Sequence, residues 1–471
     1  MIRTRFPPQP NGPLHIGHLK AIVKNFEYPD TVCNLRYDDT NPENETDDYI
    51  AAIAEDLEWL GYKPDFVSKT SDYYSQLKAF AEVLLEKNLA YVDFSTKEEM
   101  ATQRHNMTAS PYRTASIDVN MKHYHNYLRS DEGAYGCVRI KIDCAHKNTC
   151  MRDPTIFRIK AGGMHPTYDF SHPIVDYLEH ISNSFCTREF FVRRDLYYFL
   201  IHLFQELMSA DTPKHEEPVV FEFDRLNIEG VKLSKRYFQR ELAEGKITSF
   251  DDPSLFTIAG LRSKGHSPEA LKYFCHNYVH YVASDGGVIP MHKFEHALRE
   301  YYDTVAVRRF GIPDAKMLQI NVQYTSTNRP NFPDTEDFTS RQITTEKVLY
   351  INSDDFKVDA NKKYKRLKPN KKIWLRYLEQ VQHISHVIVD GVVTSINAVA
   401  CKPDGTRCSA IQWVCKADAV KIQTIDGAWW WCEGDIRELD IVQLERVGYF
   451  RVNAGILYPL LNLKSGYTDP S

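Results

Sequence analysis

Hydrophobic and polar positions at the start of the chain alternate between strand-like and helical spacing. A short mixed segment over 1–6 precedes a helical pattern over 15–27. A strand-like run over 31–36 then precedes a second helical stripe over 47–60, which Gly61 ends. Strands that alternate with helices predict a parallel, doubly wound α/β sheet.

The following segment is more polar. An apolar face over 77–85 predicts a helix, and Ser95 with Glu98 predicts a capping box at the start of another. The mixed pattern over 74–165 is expected to form an insertion. Helix and strand patterns return at 166, so the insertion divides the first fold into two halves.

The C-terminal part has a different pattern again. Residues 239–305 have helical spacing, with Ser267-Pro268 as a helix start. From about residue 345, short strand-like runs predict barrels rather than a second α/β unit. The turns between them are Asp390-Gly391, Pro403-Asp404-Gly405 and Asp426-Gly427. Residues 321–340 are polar and contain proline, and are expected to form a long loop or linker.

Composition sets limits on partners. The chain has 471 residues, 43% hydrophobic and 26% charged, which is ordinary for a globular protein of several domains. Its net charge of −5 argues against RNA binding through overall charge. An RNA partner must then meet local basic patches. The clearest patch comprises Lys362, Lys363, Lys365, Arg366, Lys368, Lys371, Lys372 and Arg376.

The ten cysteines contain no CxxC pair and fit no zinc spacing, so no metal site is expected. Free thiols are typical of a reducing compartment. The start of the chain is charged and rich in proline rather than resembling a secretory signal. No apolar run approaches the roughly 20 residues of a membrane span, and a cytoplasmic protein is expected.

The first segment with candidate chemistry is Pro-Gln-Pro-Asn-Gly-Pro-Leu-His-Ile-Gly-His over 8–18. A turn here leads from a strand into a helix, whose free N–H groups suit phosphates. His15 and His18 lie on one face of the first helical turn and can donate to phosphate oxygens. Gly17 is expected to leave room for a nucleotide near the backbone.

Three further segments carry polar groups. Lys-Leu-Ser-Lys-Arg over 232–236 is a basic loop that can close over a polyphosphate. Asp38 and Asp39 follow a strand, at the mouth of an open α/β sheet, where one carboxylate could pair with a substrate ammonium. Tyr-Asp-Phe-Ser-His over 168–172 could hold a small polar ligand. Each of these segments taken alone is also common in unrelated proteins.

In their order along the chain, these segments resemble class I aminoacyl-tRNA synthetases of the glutaminyl and glutamyl type. The resemblance runs from Arg3 to about Tyr449. Its other motifs are Thr4-Arg5-Phe6-Pro7-Pro8, 33–42, Met151-Arg152-Asp153-Pro154, Arg225-Leu226-Asn227, Ser340-Arg341-Gln342 and 361–367. It implies ATP-dependent activation of an amino acid as an adenylate, then transfer to the 2′-hydroxyl of the terminal tRNA adenosine.

The resemblance also implies roles for particular residues. His15, His18 and Lys235 are the expected catalytic residues. ATP would be bound by Gln9, Pro10, Asn11, His15, Ile16, Gly17, His18, Leu19, Lys20, Ala21, Thr187, Arg225, Leu226, Leu233, Ser234 and Lys235. The amino acid would be bound by Asp38, Tyr168, His172 and Cys186. Candidate tRNA contacts are Arg341, Lys365, Arg366 and Arg407, and Mg²⁺ would accompany ATP as its counter-ion.

By the same resemblance the chain divides into five parts. They are the first half of a Rossmann-type catalytic domain (1–73), an inserted acceptor-end-binding domain (74–165), the second catalytic half with the Lys-Leu-Ser-Lys-Arg loop (166–238), a helical subdomain (239–305) and a β-barrel anticodon-binding region (306–471). A monomer is usual for this family.

The choice between glutamine and glutamate rests on a few positions. The glutamyl branch commonly has arginine where Cys186 stands, and His172 is also typical of the glutaminyl branch. Val220 favours glutamate, since the glutaminyl branch usually has glutamine there. Arg188 is the candidate for a displaced cation, that is, a positive charge that could replace the arginine missing at position 186. The sequence favours glutamine and tRNA(Gln), with a glutamyl enzyme or a non-catalytic tRNA-binding relative as alternatives. The resemblance also leads us to expect glutamate where Gln9 stands.

Overall fold

The computed structural model describes residues 2–41, 43, 45–129, 135–160, 163–208, 216–280, 287–323, 348–361, 363–403, 405, 408–438 and 440–463. The chain forms two compact units. The first comprises Met1–Gly260 with Val279–Ile289, and the second comprises Leu261–Tyr278 with Pro290–Ser471. The segment 239–305, expected as one helical subdomain, is thus divided between the two units.

Helices and strands alternate at the start of the first unit, as the hydrophobic pattern predicts. Its helices are α1 (Ile16–Phe26), α2 (Asp47–Trp59), α3 (Tyr74–Glu86), α4 (Lys97–Asn106), α5 (Ile117–Leu128), α6 (Tyr168–Leu178), α7 (Arg194–Met208) and α8 (Lys235–Ala243), while α9 (Ile258–Lys264) begins in this unit. Its strands are β1 (Ile2–Phe6), β2 (Thr31–Tyr37), β3 (Phe66–Lys69), β4 (Ala90–Asp93), β5 (Cys137–Ile140), β6 (Thr155–Lys160), β7 (Gly163–Pro166), β8 (Asn183–Thr187) and β9 (Val219–Phe223).

Parallel strands form the part of this unit that positions the site. β1, β2 and β3 make one parallel sheet in the order β1-β2-β3, and β8 pairs with β9 in parallel. The backbone amide of Ser182, beside β8, donates to the carbonyl of Arg3 in β1 over 3.0 Å. The strand order is therefore β3-β2-β1-β8-β9, and the prediction of parallel α/β structure is confirmed.

An antiparallel sheet, in the order β4-β5-β6-β7, lies within 90–166 and so ends one residue beyond the expected insertion. Its hydrophobic core continues into the helices that follow, because Phe80 packs against Phe170 and Phe204. The predicted capping box of Ser95 and Glu98 was wrong by one residue: Thr96 and Glu99 form it. The Ser95 amide instead donates to Asp93 Oδ1, so α4 starts one residue later than predicted.

The second unit is rich in short strands. Its helices are α10 (Pro268–Tyr278), which starts where Ser267-Pro268 predicted, and α11 (Met291–Val305). Its strands are β10 (Val307–Arg309), β11 (Gly311–Pro313), β12 (Met317–Gln323), β13 (Val348–Asn352), β14 (Lys372–Leu375), β15 (Gln380–Val389), β16 (Val392–Ala400), β17 (Ala410–Ile411), β18 (Ala419–Thr424), β19 (Trp429–Glu433), β20 (Ile441–Leu444), β21 (Gly448–Asn453) and β22 (Ile456–Asn462).

These strands form two barrel-like sheets, in the orders β10-β20-β21-β22-β18-β19-β11 and β13-β12-β16-β15-β14-β17. Asp390 and Gly391 join β15 to β16, with φ of 49° and 80° as a two-residue hairpin turn requires. Asp426-Gly427 lies in the longer connection, 425–428, between β18 and β19, and only Gly427 has a positive φ, while Asp404 lies outside the described residues. The loop prediction was wrong for 321–323, which belong to β12, and 324–340 lie outside the described residues.

Candidate active site

A cleft of about 670 Å³ opens in the first unit beside the ends of its parallel strands. The turns that follow β1, β2, β8 and β9 all contribute to its walls. Among the predicted site residues, its lining includes Gln9, Asn11, His15, His18, Ala21, Asp38, Tyr168, Cys186, Thr187, Arg225 and Leu233. Segments more than 200 residues apart in the sequence therefore meet at one site.

The two histidines are fixed by backbone hydrogen bonds. His15 is the N-cap of α1, and its Nδ1 accepts from the amide of Gly17 over 3.1 Å. His18 Nδ1 accepts from the amide of His15 over 3.1 Å, and the two rings stack with their centroids 3.9 Å apart. A nitrogen that accepts carries no proton, so a neutral ring must hold its proton on Nε2.

Electrostatics keep both rings neutral. Burial, aided by Arg225, lowers the pKa of His15 to about 4. Burial, together with His15 and Arg225, lowers the pKa of His18 well below its ordinary value. Near neutral pH each ring therefore offers one Nε2–H donor, as hydrogen bonding to a phosphate oxygen requires.

Gly17 allows the His15 side chain to lie against the backbone of α1, and its expected role in leaving room for a nucleotide stays a prediction. A Cβ at this position would lie 2.9 Å from Cε1 and Nδ1 of the His15 ring. The space left by glycine is thus taken by the His15 side chain. This contact explains why the residue directly before His18 is glycine.

Of the two adjacent carboxylates, Asp38 lines the cleft. It is 3% exposed, and burial raises its pKa while a hydrogen bond from Gln9 opposes the rise. Asp39 is instead tied to Ser71, whose amide and hydroxyl donate to its two oxygens over 2.8 and 2.5 Å. Asp38 is therefore the carboxylate available to a ligand in the cleft.

A buried ionic network, for which the sequence predicts no role, lies behind the cleft. Arg5 contacts Asp176 over 3.0 Å, and Arg36 bridges Asp176 and Glu179 over 2.5 and 2.9 Å. Arg5 also contacts His172 Nε2 over 3.0 Å. Burial lowers the pKa of His172 to about 3, so two arginines face two carboxylates with no excess charge. The sequence feature that could have indicated this network is the presence of arginines in the strand-like parts of the chain, Arg5 and Arg36.

A smaller pocket adjoins the cleft and shares with it Tyr168, Cys186, Phe190 and Arg193. The rest of its lining is Asp169, His172, Pro173, Ser184, Arg194, Leu196, Tyr197 and Val220. Tyr168 stacks on His172 with 4.8 Å between centroids. Two arginines that the sequence does not single out line this pocket, and both are paired, Arg193 with Asp169 and Arg194 with Glu222.

Two family models match this sequence. The catalytic domain of "tRNA synthetases class I (E and Q)" matches residues 1–285, and the anti-codon binding domain of the same family matches 306–403. The chain belongs to this family.

Individual relatives are similar over most of the chain. The glutamine–tRNA ligase of Idiomarina loihiensis is 38% identical over 80% of this chain and 69% of its own length. That of Alteromonas mediterranea is 34% identical over 96% of this chain and 91% of its own length. A solved glutamate tRNA ligase from Elizabethkingia meningosepticum, in complex with its amino acid, is 21% identical to this chain. The match covers 64% of this chain and 69% of that chain, with a TM-score of 0.46.

In this synthetase family member, the Lys-Leu-Ser-Lys-Arg segment leads into α8. Leu233 lines the cleft, Ser234 caps the helix by accepting from the Tyr237 amide, and Lys235 is the first helical residue. Arg225 pairs with Glu189 at the cleft.

Other predicted ATP contacts lie away from the cleft wall. Ile16, Leu19, Lys20 and Leu226 are buried side chains, and Lys20 Nζ donates to the carbonyl of Asp224 over 2.8 Å. Pro10 is also buried, and its carbonyl accepts from the amide of Thr46. Arg188, the candidate displaced cation, is half exposed and lies outside the smaller pocket, with Nη1 4.0 Å from Asp224.

The candidate tRNA contacts lie in the second unit. Lys365 is exposed, whereas Arg366 pairs with the buried Asp355 over 2.6 Å. Arg341, Arg407 and Lys362 lie outside the described residues. Over the described part of the chain, no cluster of three or more His, Cys, Asp or Glu side chains could hold a metal ion. No helix there has the length and apolar character to cross a membrane.

Proposed function

We propose that this chain uses ATP to activate L-glutamine and transfers the glutaminyl group to the terminal adenosine of tRNA(Gln). The observation that carries the choice of amino acid is the smaller pocket, in which each lining arginine has a carboxylate partner. A pocket without net positive charge suits an amide better than a carboxylate. The similarity to several glutamine–tRNA ligases supports the same choice.

The chemistry would depend on positioning and charge stabilisation. The glutamine carboxylate attacks the α-phosphate of ATP, pyrophosphate leaves, and the 2′-hydroxyl of the terminal adenosine then displaces AMP from the adenylate. His15 and His18 would donate from Nε2 to phosphate oxygens, with Ser234 and Lys235 completing the phosphate site. Gln9, Asn11, Ala21, Thr187, Arg225 and Leu233 would form the rest of the ATP site. Mg²⁺ would accompany ATP as its counter-ion.

The amino acid would lie between the cleft and the smaller pocket. Asp38 and Tyr168 would bind its ammonium, while His172 and Cys186 would face its side chain. Asp38 in its ionised form would supply the opposite charge, and neutral His172 would add no positive charge beside the side chain of the amino acid.

The remaining segments would hold the tRNA. The insertion over 74–165 would bind the acceptor end, the helical segment over 239–305 would follow the catalytic halves at 1–73 and 166–238, and the strands over 306–471 would read the anticodon. Lys365, Arg366, Arg341 and Arg407 are the proposed contacts, and a monomer is the proposed state.

Pyrophosphate exchange, measured with tRNA(Gln) present, tests this proposal. Exchange should require glutamine, and Lys235→Ala should lower its rate greatly with little change in tRNA affinity. Exchange supported by glutamate alone would reject the assigned amino acid. If tRNA bound without any exchange, the chain would be a non-catalytic relative, and an unaltered rate in the Lys235 variant would reject the role of that loop.

A further inference from the structure

We propose that Glu222 is a specificity-determining residue, which keeps the amino-acid pocket neutral by pairing with Arg194 and so disfavours glutamate. This inference rests on the proposed function. Glu222 would act through Arg194 and not by touching the substrate, so it is a positioning residue.

Strand register brings Glu222 to this place. β8 and β9 are parallel, with Ser184 opposite Val220 and Cys186 opposite Glu222. Because side chains alternate along strands, these four side chains share one face of the strand pair. Ser184, Cys186 and Val220 line the smaller pocket, and Glu222 lies next along that face.

The ion pair itself is bidentate. Arg194, at the start of α7, lines the pocket, and its Nε donates to Glu222 Oε1 over 2.8 Å while its Nη2 donates to Oε2. The carboxylate side chain is 9% exposed and the arginine 37%. Two parallel charged hydrogen bonds fix the guanidinium plane, occupy two of its five N–H donors and neutralise its charge.

Arg194 is close enough to the pocket wall for its positive charge to act on Cys186. Burial raises the pKa of the Cys186 thiol, and the nearby charges of Arg5 and Arg194 oppose that rise. The other cations near the pocket are also paired. Arg5 forms an ion pair with Asp176, and Arg193 forms one with Asp169. Without the Glu222 charge, Arg194 would leave one uncompensated positive charge at the pocket, and a glutamate side chain would be attracted to it.

Glu222→Gln tests this inference, because it keeps the shape of the side chain and removes its charge. The measurement is kcat/KM for glutamine and for glutamate in aminoacylation of tRNA(Gln). We expect the preference for glutamine over glutamate to fall roughly tenfold or more, as a new hydrogen-bonded charge pair implies. The double variant Arg194→Met/Glu222→Gln removes both charges and should restore the preference.

Two further variants separate charge from damage to the fold. Asp224→Asn makes the same kind of change beside Arg188, outside the pocket, and should leave the preference unchanged. Arg194→Met alone removes the cation, so the preference for glutamine should not fall. An unchanged preference in Glu222→Gln, or a fall in Arg194→Met, would overturn the inference. A wild-type chain that fails to use glutamine would instead overturn the proposed function.

Discussion

The side-chain amide of Gln9 donates a hydrogen bond to a carboxylate oxygen of Asp38 over 3.3 Å. Asp38 lies at the wall of the cleft, where burial raises its pKa and this bond opposes the rise. Only the ionised carboxylate can pair with the ammonium of an amino acid. Gln9 therefore helps to hold Asp38 in the form that the proposed reaction needs, without adding a negative charge beside ATP.

Changes at Gln9 should move the pH dependence of glutamine use. Gln9→Met removes the donor, and Gln9→Glu places a second carboxylate beside Asp38, so both should raise the pKa of Asp38. The acid limb of kcat/KM for glutamine should move to higher pH in the order wild type, Gln9→Met, Gln9→Glu. An acid limb that stays in place in both variants would contradict the pairing of Asp38 with the substrate.

Ser234 can be tested for two separable contributions. Its hydroxyl caps α8, so Ser234→Ala should cost about 1 kcal/mol of unfolding free energy. Ser234→Asp should keep the cap but repel a polyphosphate, so it should fold normally and raise KM for ATP. Denaturant unfolding and ATP titration measure the two effects separately. If the Asp variant bound ATP as wild type does, Ser234 would serve α8 alone.

The buried network behind the cleft should be important for stability. Asp176→Asn leaves Arg5 and Arg36 with one fewer carboxylate in a dry site, and it should lower the free energy of unfolding by about 3–5 kcal/mol. Asp47→Asn is the matched change at a surface ion pair, where Asp47 is 99% exposed and lies 4.0 Å from Lys69 Nζ. Its effect should be far smaller. If the two variants lost equal amounts of unfolding free energy, burial would not be what determines the size of the effect.

Buried neutral histidines should make the protein sensitive to acid. Burial lowers the pKa of His266 from 6.5 to about 3, so the unfolded chain binds a proton in this range that the folded chain does not. Stability should therefore be complete above pH 6.5 and fall as pH decreases towards 3, by up to about 1.4 kcal/mol per pH unit for this residue. His266→Gln should flatten the decline between pH 6 and 4, measured from urea midpoints, and leave the slope above pH 7.5 unchanged. An equally steep decline in the variant would contradict the neutral His266.

The sequence predicted best what local patterns determine. The spacing of apolar residues in α1 and α2 predicts both helices, and the Asp390-Gly391 pair predicts its hairpin because both residues take positive φ. The capping box begins at Thr96 rather than at Ser95 because of a local competition for hydrogen bonds. The Ser95 amide donates to the Asp93 carboxylate.

Such local patterns cannot predict ion pairs between residues that are far apart in the sequence. Arg5 and Asp176 are 171 residues apart, and no periodicity in either segment indicates that they meet. Arg194 and Glu222 are closer, 28 residues apart, yet their pairing depends on the register of β8 with β9 and on the start of α7. The sequence consequently points to Arg188 as the cation, whereas the arginines that line the smaller pocket are Arg193 and Arg194.

Competition between the two amino acids tests glutamine specificity most directly. The purified chain would charge tRNA(Gln) from equal concentrations of glutamine and glutamate, and the terminal aminoacyl-adenosine would be released with ribonuclease and identified by mass spectrometry. Glutaminyl-adenosine should be the dominant product, because the pocket beside Cys186 and Val220 holds no uncompensated cation among its described lining residues. Dominant glutamyl-adenosine would contradict the assignment.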